Sequence, residues 1–212
     1  MIHIKIFVFN SFQENTYVLY NEAQEALIID AGCESTDELA EIKGFIKDQN
    51  LKPVALLGTH GHIDHVLGNR DLKEFFKITY KAHEGDAFMI EHAAEQAAMF
   101  GMEIRKPPMP DSSLSDKEMI SFGESSLEVI HLPGHSPGVV GFYCEEQGFI
   151  IVGDVLFSKS IGRTDLPGGN YEQLINSINS RLLVLPENTI VYPGHGPETT
   201  IGVEKRNNPF LQ

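Results

Sequence analysis

Four stretches of this chain end an apolar run and then place histidine or aspartate at once. Val54–Leu57 runs into Thr59-His60-Gly61-His62-Ile63-Asp64-His65, and three later runs lead into Pro133-Gly134-His135-Ser136, Val152-Gly153-Asp154 and Pro193-Gly194-His195-Gly196. Short runs of Val, Ile, Leu and Phe bounded by Gly and Pro read as buried strands. A strand hands the residues that follow it to one edge of its sheet, and strand-end loops are where layered α/β folds assemble sites. Any fold for this chain is constrained to bring four strand ends together.

The remaining elements fit that demand. Ile2–Phe9, Thr16–Tyr20 and Ala26–Ile29 predict an antiparallel meander. Ser35-Thr36-Asp37-Glu38 is a capping box that opens a helix to about Lys47, with Leu39, Ile42 and Ile46 on one face. Gly68–Phe76 reads as a helix, Ile78–Lys81 as a short strand, 83–101 as one helix by its period, and the proline-bearing 105–117 as a surface loop. Glu118–Phe122 and Ser126–His131 form a hairpin around Gly123-Glu124, and Val139–Tyr143 pairs with Phe149–Val152. A helix opens at Asn170, with Gln173 at its third position and Leu174, Ile178 and Leu182 on one stripe, before a last strand at Ile190–Tyr192. Strands in two runs, roughly 1–58 and 118–192, predict two sheets packed face to face and covered by helices. The chain reads as one α/β domain over residues 1–212.

The residue types at the strand ends point to metal. Neutral imidazole and carboxylate suit zinc, iron or manganese. His60 and His62, two apart in an extended loop, can face the same way, while Asp64 and His65 turn toward a neighbouring ion. Five histidines and two carboxylates exceed the three ligands and one water that a single catalytic ion needs. They suit two ions about 3.5–4 Å apart. Asp154 is the natural bridge, because a carboxylate has two oxygens. His3, His83, His92 and His131 sit in no comparable motif and read as surface or core residues.

Charge narrows the partners. With 16 Lys and Arg against 30 Asp and Glu, the net charge is −14. Such a surface repels phosphate backbones and anionic lipid, which argues against nucleic acid and membrane partners and leaves a small-molecule substrate. No stretch approaches the ~20 apolar residues of a membrane span. Met1–Asn10 reads as a first strand rather than a signal peptide, so the expected location is the cytoplasm, with Cys33 and Cys144 as reduced, buried apolar residues.

In order and form these motifs resemble the metallo-β-lactamase superfamily, and within it the glyoxalase II-like hydrolases of the short bacterial type. The resemblance extends to Asp30-Ala31-Gly32, to Gly162-Arg163-Thr164-Asp165, and to the tail from Gly194-His195-Gly196 through Asn207-Asn208-Pro209-Phe210. It implies an αβ/βα sandwich of four layers with the metals at one edge of the β-core. It assigns His60, His62 and His135 to one ion, Asp64, His65 and His195 to a second, and Asp154 to both, with two divalent transition-metal ions per chain, zinc first and iron or manganese as alternatives. It further implies hydrolysis of a thioester such as S-lactoylglutathione by a metal-bridging hydroxide, the ions lowering the pKa of water from 15.7 toward ~7. Asp64 and Asp154 are then the catalytic carboxylates, Asp30 a residue that orients ligands, and Arg163 the fork that takes a substrate carboxylate. Full-length glyoxalase II enzymes add a helical C-terminal domain, whereas this chain ends soon after His195. Thiol recognition is therefore expected from Arg163, the 105–117 loop or another subunit.

Other functions share parts of this pattern. A persulfide dioxygenase has the same fold and early motif but one iron held by two His and one Asp; a lactonase or β-lactamase shares the fold; the nuclease branch shares the His60–His65 motif but fits the charge poorly. A non-enzymatic metal scaffold is the reading from a different class.

Overall fold

The computed structural model describes residues 1–212. The first sheet is built from β1 (Ile2–Phe9), β2 (Glu14–Asn21) and β3 (Glu25–Ile29), followed by β4 (Lys52–Leu57), β5 (Thr79–Ala82) and β6 (Ser112–Ser113), in that spatial order. Its first three strands are the antiparallel meander, while β3 to β6 run parallel. The parallel steps need crossovers. Helix α1 (Thr36–Asp48) connects β3 to β4, and α2 (Asn69–Phe76) connects β4 to β5. Between β5 and β6 lie α3 (Ala87–Glu91) and α4 (Ala93–Met99).

The second sheet contains β7 (Met119–Phe122), β8 (Ser125–His131), β9 (Val140–Cys144) and β10 (Phe149–Gly153) as antiparallel neighbours. A small hairpin, β11 (Leu156–Phe157) with β12 (Ser160–Ile161), stands apart. Helix α5 (Tyr171–Ser177) crosses over to β13 (Ile190–Pro193), which joins β10 in parallel, and β14 (Thr199–Thr200) closes the edge before α6 (Ile201–Asn207).

Alternation within the strands decides the layering. In β2, Tyr17 and Leu19 enter the core between the sheets while Val18 faces the helices; in β10, Ile151 faces inward while Ile150 and Val152 face out. Successive side chains leave a strand on opposite faces, so strands apolar on both faces have to be covered on both. The inter-sheet core joins Leu27, Ile29 and Leu57 to Leu127, Val129, Val140 and Phe142. Ile42 and Ile46 of α1 and Leu72 of α2 cover the first sheet, and Leu174, Ile178 and Leu182 cover the second. The result is the expected four-layer αβ/βα sandwich.

Two expectations are corrected. Segment 83–101 is not one helix: a 3-10 turn over Glu84–Asp86 precedes α3, and the chain breaks again at His92 before α4. Segment 105–117 is not only loop, because Ser112 and Ser113 pair with Lys81 and Ala82 and extend the first sheet. The tail holds α6, capped by the Thr200 hydroxyl accepting from Val203 N. The Ser35–Glu38 capping box is fully formed, and Asn170 caps α5 as expected. No helix is long and apolar enough to cross a membrane.

Leu27 is fully buried between the sheets. Replacing it by Ala is expected to lower unfolding free energy by about 3 kcal/mol in a denaturant titration. A loss below ~1 kcal/mol contradicts the inter-sheet core described here.

Candidate metal centre

The four sequence motifs follow β4, β8, β10 and β13, and those strand ends meet at one edge of the sandwich. Gly153 adopts a positive φ of 53°, at a register shift between β10 and β13, which turns Asp154 out of the strand. Gly194 is a glycine because a Cβ there would collide with Asp154 Oδ1 and stand 2.7 Å from His65 Cε1. The backbone of the His195 loop is strapped to β2: Asn15 N donates to Gly194 O (2.7 Å), Asn15 Nδ2 to Pro193 O and Gly196 O, and Tyr17 OH to Pro193 O (2.6 Å).

All seven strand-end residues are brought together. Ligand atoms of His60, His62 and His135 lie within 4.8 Å of one another, as do those of Asp64, His65 and His195. Asp154 stands between the two groups. Its Oδ1 is 3.5 Å from His65 Nε2, and its Oδ2 is 3.7 Å from His135 Nε2 and 3.5 Å from His195 Nε2. Asp64 Oδ2 is 3.1 Å from His195 Nε2.

The partners of each ring set its tautomer. Thr59 donates its hydroxyl to Asp30 Oδ2 (2.6 Å), so its oxygen accepts from His60 Nδ1 (3.0 Å). His65 Nδ1 donates to Asp30 Oδ2 (3.0 Å), His135 Nδ1 to the Arg163 carbonyl (2.8 Å), and His195 Nδ1 to the Phe12 carbonyl (3.1 Å). Four rings are therefore tethered through Nδ1 and turn Nε2 inward, where that of His60 and that of His65 find no hydrogen-bond partner and that of His195 meets Asp64. His62 is the exception, presenting Nδ1 at 2.8 Å from His135 Nε2.

That set asks for cations. His60 Nε2, His65 Nε2 and Asp154 Oδ1 are buried with no hydrogen-bond partner, a costly condition for polar atoms. The ion-pair partners of Asp64 and Asp154 are all histidines. Burial and the neighbouring rings push His60 well down, and burial with His135 pushes His62 down to about 3, so both are neutral donors at pH 7. Burial works against ionising Asp154, but His65, His135 and His195 outweigh it and hold its carboxyl low. Burial works against charging His65 and His195, but Asp64 and Asp154 outweigh it and hold both rings above the usual imidazole range, so metal cations would take the place of those protons. Imidazole and ionised carboxylate converging with no Lys or Arg among them fit transition-metal ions.

Asp30 lies behind this set. It accepts from Thr59 N and Thr59 Oγ1 (both 2.6 Å) and from His65 Nδ1, so one carboxylate orients His60 through Thr59 and His65 directly. It groups geometrically with His60 and His65, but its oxygens are committed to these donors. Arg163 is placed otherwise than a free fork: its carbonyl fixes His135, while its guanidinium, 59% exposed, grips Asp165 through two bonds of 2.8 and 2.7 Å. In the 105–117 loop, Arg105 pairs with Asp71 and Glu74 of α2. His3 and His92 lie at the surface, and His83 stacks on His131 at 4.2 Å, all outside the cluster. Cys33 and Cys144 are free and buried.

Sequence reading missed several residues that shape the centre. Glu14 is fully buried 3.9 Å from His65 Nδ1, takes the Thr16 hydroxyl at 2.8 Å, and is pushed well above the usual carboxylate range by burial. Asn15, Tyr17, Thr59 and Asp86 also belong here. Thr59 opens the His60–His65 motif, but its hold on His60 rests on distant Asp30; the others sit in no recognisable spacing and act through contacts far away in sequence.

Residues 10–195 match the sequence profile of the metallo-beta-lactamase superfamily. The chain belongs to that superfamily. The superfamily chain is 41% identical over 212 residues to hydroxyacylglutathione hydrolase GloC of Haemophilus influenzae, covering 99% of this chain and 98% of the relative. Among solved structures, a B3 metallo-beta-lactamase called BLEG-1 is 38% identical with a TM-score of 0.91, covering 99% of this chain and all of that one. TTHA1623, solved in a di-iron-bound form, is 39% identical with a TM-score of 0.89, covering 98% and 100%. Taken with the hydrolase relatives, membership places the chain among the metal-dependent hydrolases of that superfamily.

Asp30→Ala orphans the Thr59 amide and the His65 imidazole at once. It is expected to lower bound metal, read by elemental analysis, and to reduce unfolding free energy by about 1–3 kcal/mol. Unchanged metal content disproves the orienting role of Asp30.

Proposed function

We propose that this protein is a binuclear metal-dependent thioesterase acting on S-lactoylglutathione or a similar hydroxyacyl thioester. The observation that carries the reading is the pair of ligand groups, His60/His62/His135 and Asp64/His65/His195, with one Asp154 carboxylate between them. A single-ion oxygenase needs only part of this set. The GloC relative, matched over almost its full length, supports the thioester class. Zinc suits the imidazole and carboxylate donors and is our first assignment.

When bound, the ions lower the pKa of water and polarise the acyl carbonyl. The chain's own residues do the rest. His60, His65 and His135 are sealed from solvent, His62 and Asp64 are barely open, and the side chains of Asp154 (14%) and His195 (26%) are more so, so substrate and water arrive from the His195 side. Asp64 and Asp154 stay ionised there and accept hydrogen bonds from an arriving water, orienting it toward the acyl carbon. The mouth is aromatic: Phe157 lies 6.4 Å from the His195 ring, and Phe12, whose carbonyl holds His195, meets Phe100 edge-on at 5.5 Å. Such a rim suits an acyl thioester better than a polyanion. A thiolate leaves without strong protonation, so no dedicated acid is required. A substrate carboxylate reaches Arg163 by displacing Asp165, an exchange between groups more than half exposed and therefore cheap.

Purified protein is expected to bind about two transition-metal ions and to hydrolyse S-lactoylglutathione, with chelation abolishing turnover. Asp154→Ala should lose both metal and turnover. Full metal content with full turnover in that variant refutes the bridging assignment, and oxygen uptake on glutathione persulfide with one ion per chain moves the protein to the dioxygenases.

A further inference from the structure

Asp86 is a carboxylate with no exposure to solvent and no cationic partner. Burying a charge in this way is costly unless donors saturate it. Three do: Gly61 N at 2.9 Å, Ser136 Oγ at 2.6 Å and Gly138 N at 2.6 Å. Gly61 separates His60 from His62, and Ser136 follows His135. Asp86 thus joins the β4 loop to the β8–β9 loop, the two loops that supply the His60/His62/His135 group.

Local geometry is bent to this purpose. Asp86 occupies the N-cap position of α3, where an aspartate ordinarily accepts from its own helix, yet its side chain makes no capping bond. The carboxylate is turned away from α3 toward the two loops. Both loops meet it with glycine: a Cβ on Gly61 would come within 3.0 Å of Asp86 Cβ and O, and one on Gly138 within 2.6 Å of Asp86 N. Where the loops are pinned, His62 Nδ1 and His135 Nε2 stand 2.8 Å apart.

The second group is held by different means. His65 is oriented by Asp30, His195 by the Phe12 carbonyl, and the His195 loop by Asn15 and Tyr17. Asp86 touches none of these. Asp30 serves both groups, through Thr59 to His60 and directly to His65.

We propose that Asp86 is a positioning residue that fixes the His60/His62/His135 group alone, and so sets the affinity of one ion independently of the other. This rests on the two-ion reading above. All three partners are donors, so the carboxylate cannot be matched by an amide: Asp86→Asn sets an NH2 against a donor while keeping shape and volume.

The test is metal titration into ion-free protein with a competing chelator, in two backgrounds. His195→Ala disables one group, and the remaining ion reports the His60 group. His135→Ala does the reverse. Adding Asp86→Asn is expected to weaken the ion in the His195→Ala background roughly 10- to 100-fold and to leave the ion in the His135→Ala background unchanged. Ser136→Ala, which removes one donor and keeps the carboxylate, should weaken the same ion by a smaller factor. Thermal unfolding of the ion-free variants, recorded alongside, separates a general loss of fold from a selective effect. Equal weakening in both backgrounds, or none in the first, overturns the inference. Wild-type protein that takes up a single ion overturns the two-ion reading instead, and the Asp86 assignment is then decided by the His195→Ala pair alone.

Discussion

Each of four imidazoles at this centre has its Nδ1 tethered to the protein, turning Nε2 inward, and the rest of the structure serves that arrangement. The tethers are a carboxylate-held hydroxyl for His60, the Asp30 carboxylate for His65, and main-chain carbonyls for His135 and His195. An untethered imidazole can rotate or exchange tautomer; a tethered one presents the same lone pair continuously. Preorganisation of this kind requires partners that themselves do not move. Here they are the ends of strands whose neighbours are paired and buried on both faces.

The same arrangement explains how a strongly acidic chain tolerates carboxylates under its surface. Asp30, Asp64, Asp86 and Asp154 cluster at one edge, yet each is surrounded by donors or by imidazole. Asp30 and Asp86 face amides and hydroxyls and act as struts. Asp64 and Asp154 face imidazole rings whose other nitrogen is already tethered to the protein. The struts need no metal to be satisfied, while the inward set does. That difference separates residues that build the centre from residues that work in it.

The inward set was legible in the sequence because its members lie in contiguous motifs after apolar runs, and a strand end has few places to send its loop. The two covered sheets were legible from β-type segments falling in two runs, roughly 1–58 and 118–192, with helices interspersed, as in Thr16–Tyr20 and Phe149–Val152. The struts were legible only where a turn marked them, as Asp30 was by the glycine two residues on. Asp86 shows why the rest were not: one aspartate at a helix start predicts a cap, and only the meeting of two distant loops reveals that it serves them instead. Ser112–Ser113 pairs through main-chain atoms alone, so no side-chain pattern announces that strand. The break at His92 is likewise hidden, because Ala-rich sequence keeps helical period across it.

The central claim is that two groups of ligands share Asp154 and each holds its own ion. Anomalous diffraction from crystals of the metal-loaded protein tests it most directly. The account predicts two peaks on either side of the Asp154 carboxylate, one bounded by His60, His62 and His135 and the other by Asp64, His65 and His195. A single peak at full loading, or a second peak away from Asp154, contradicts it.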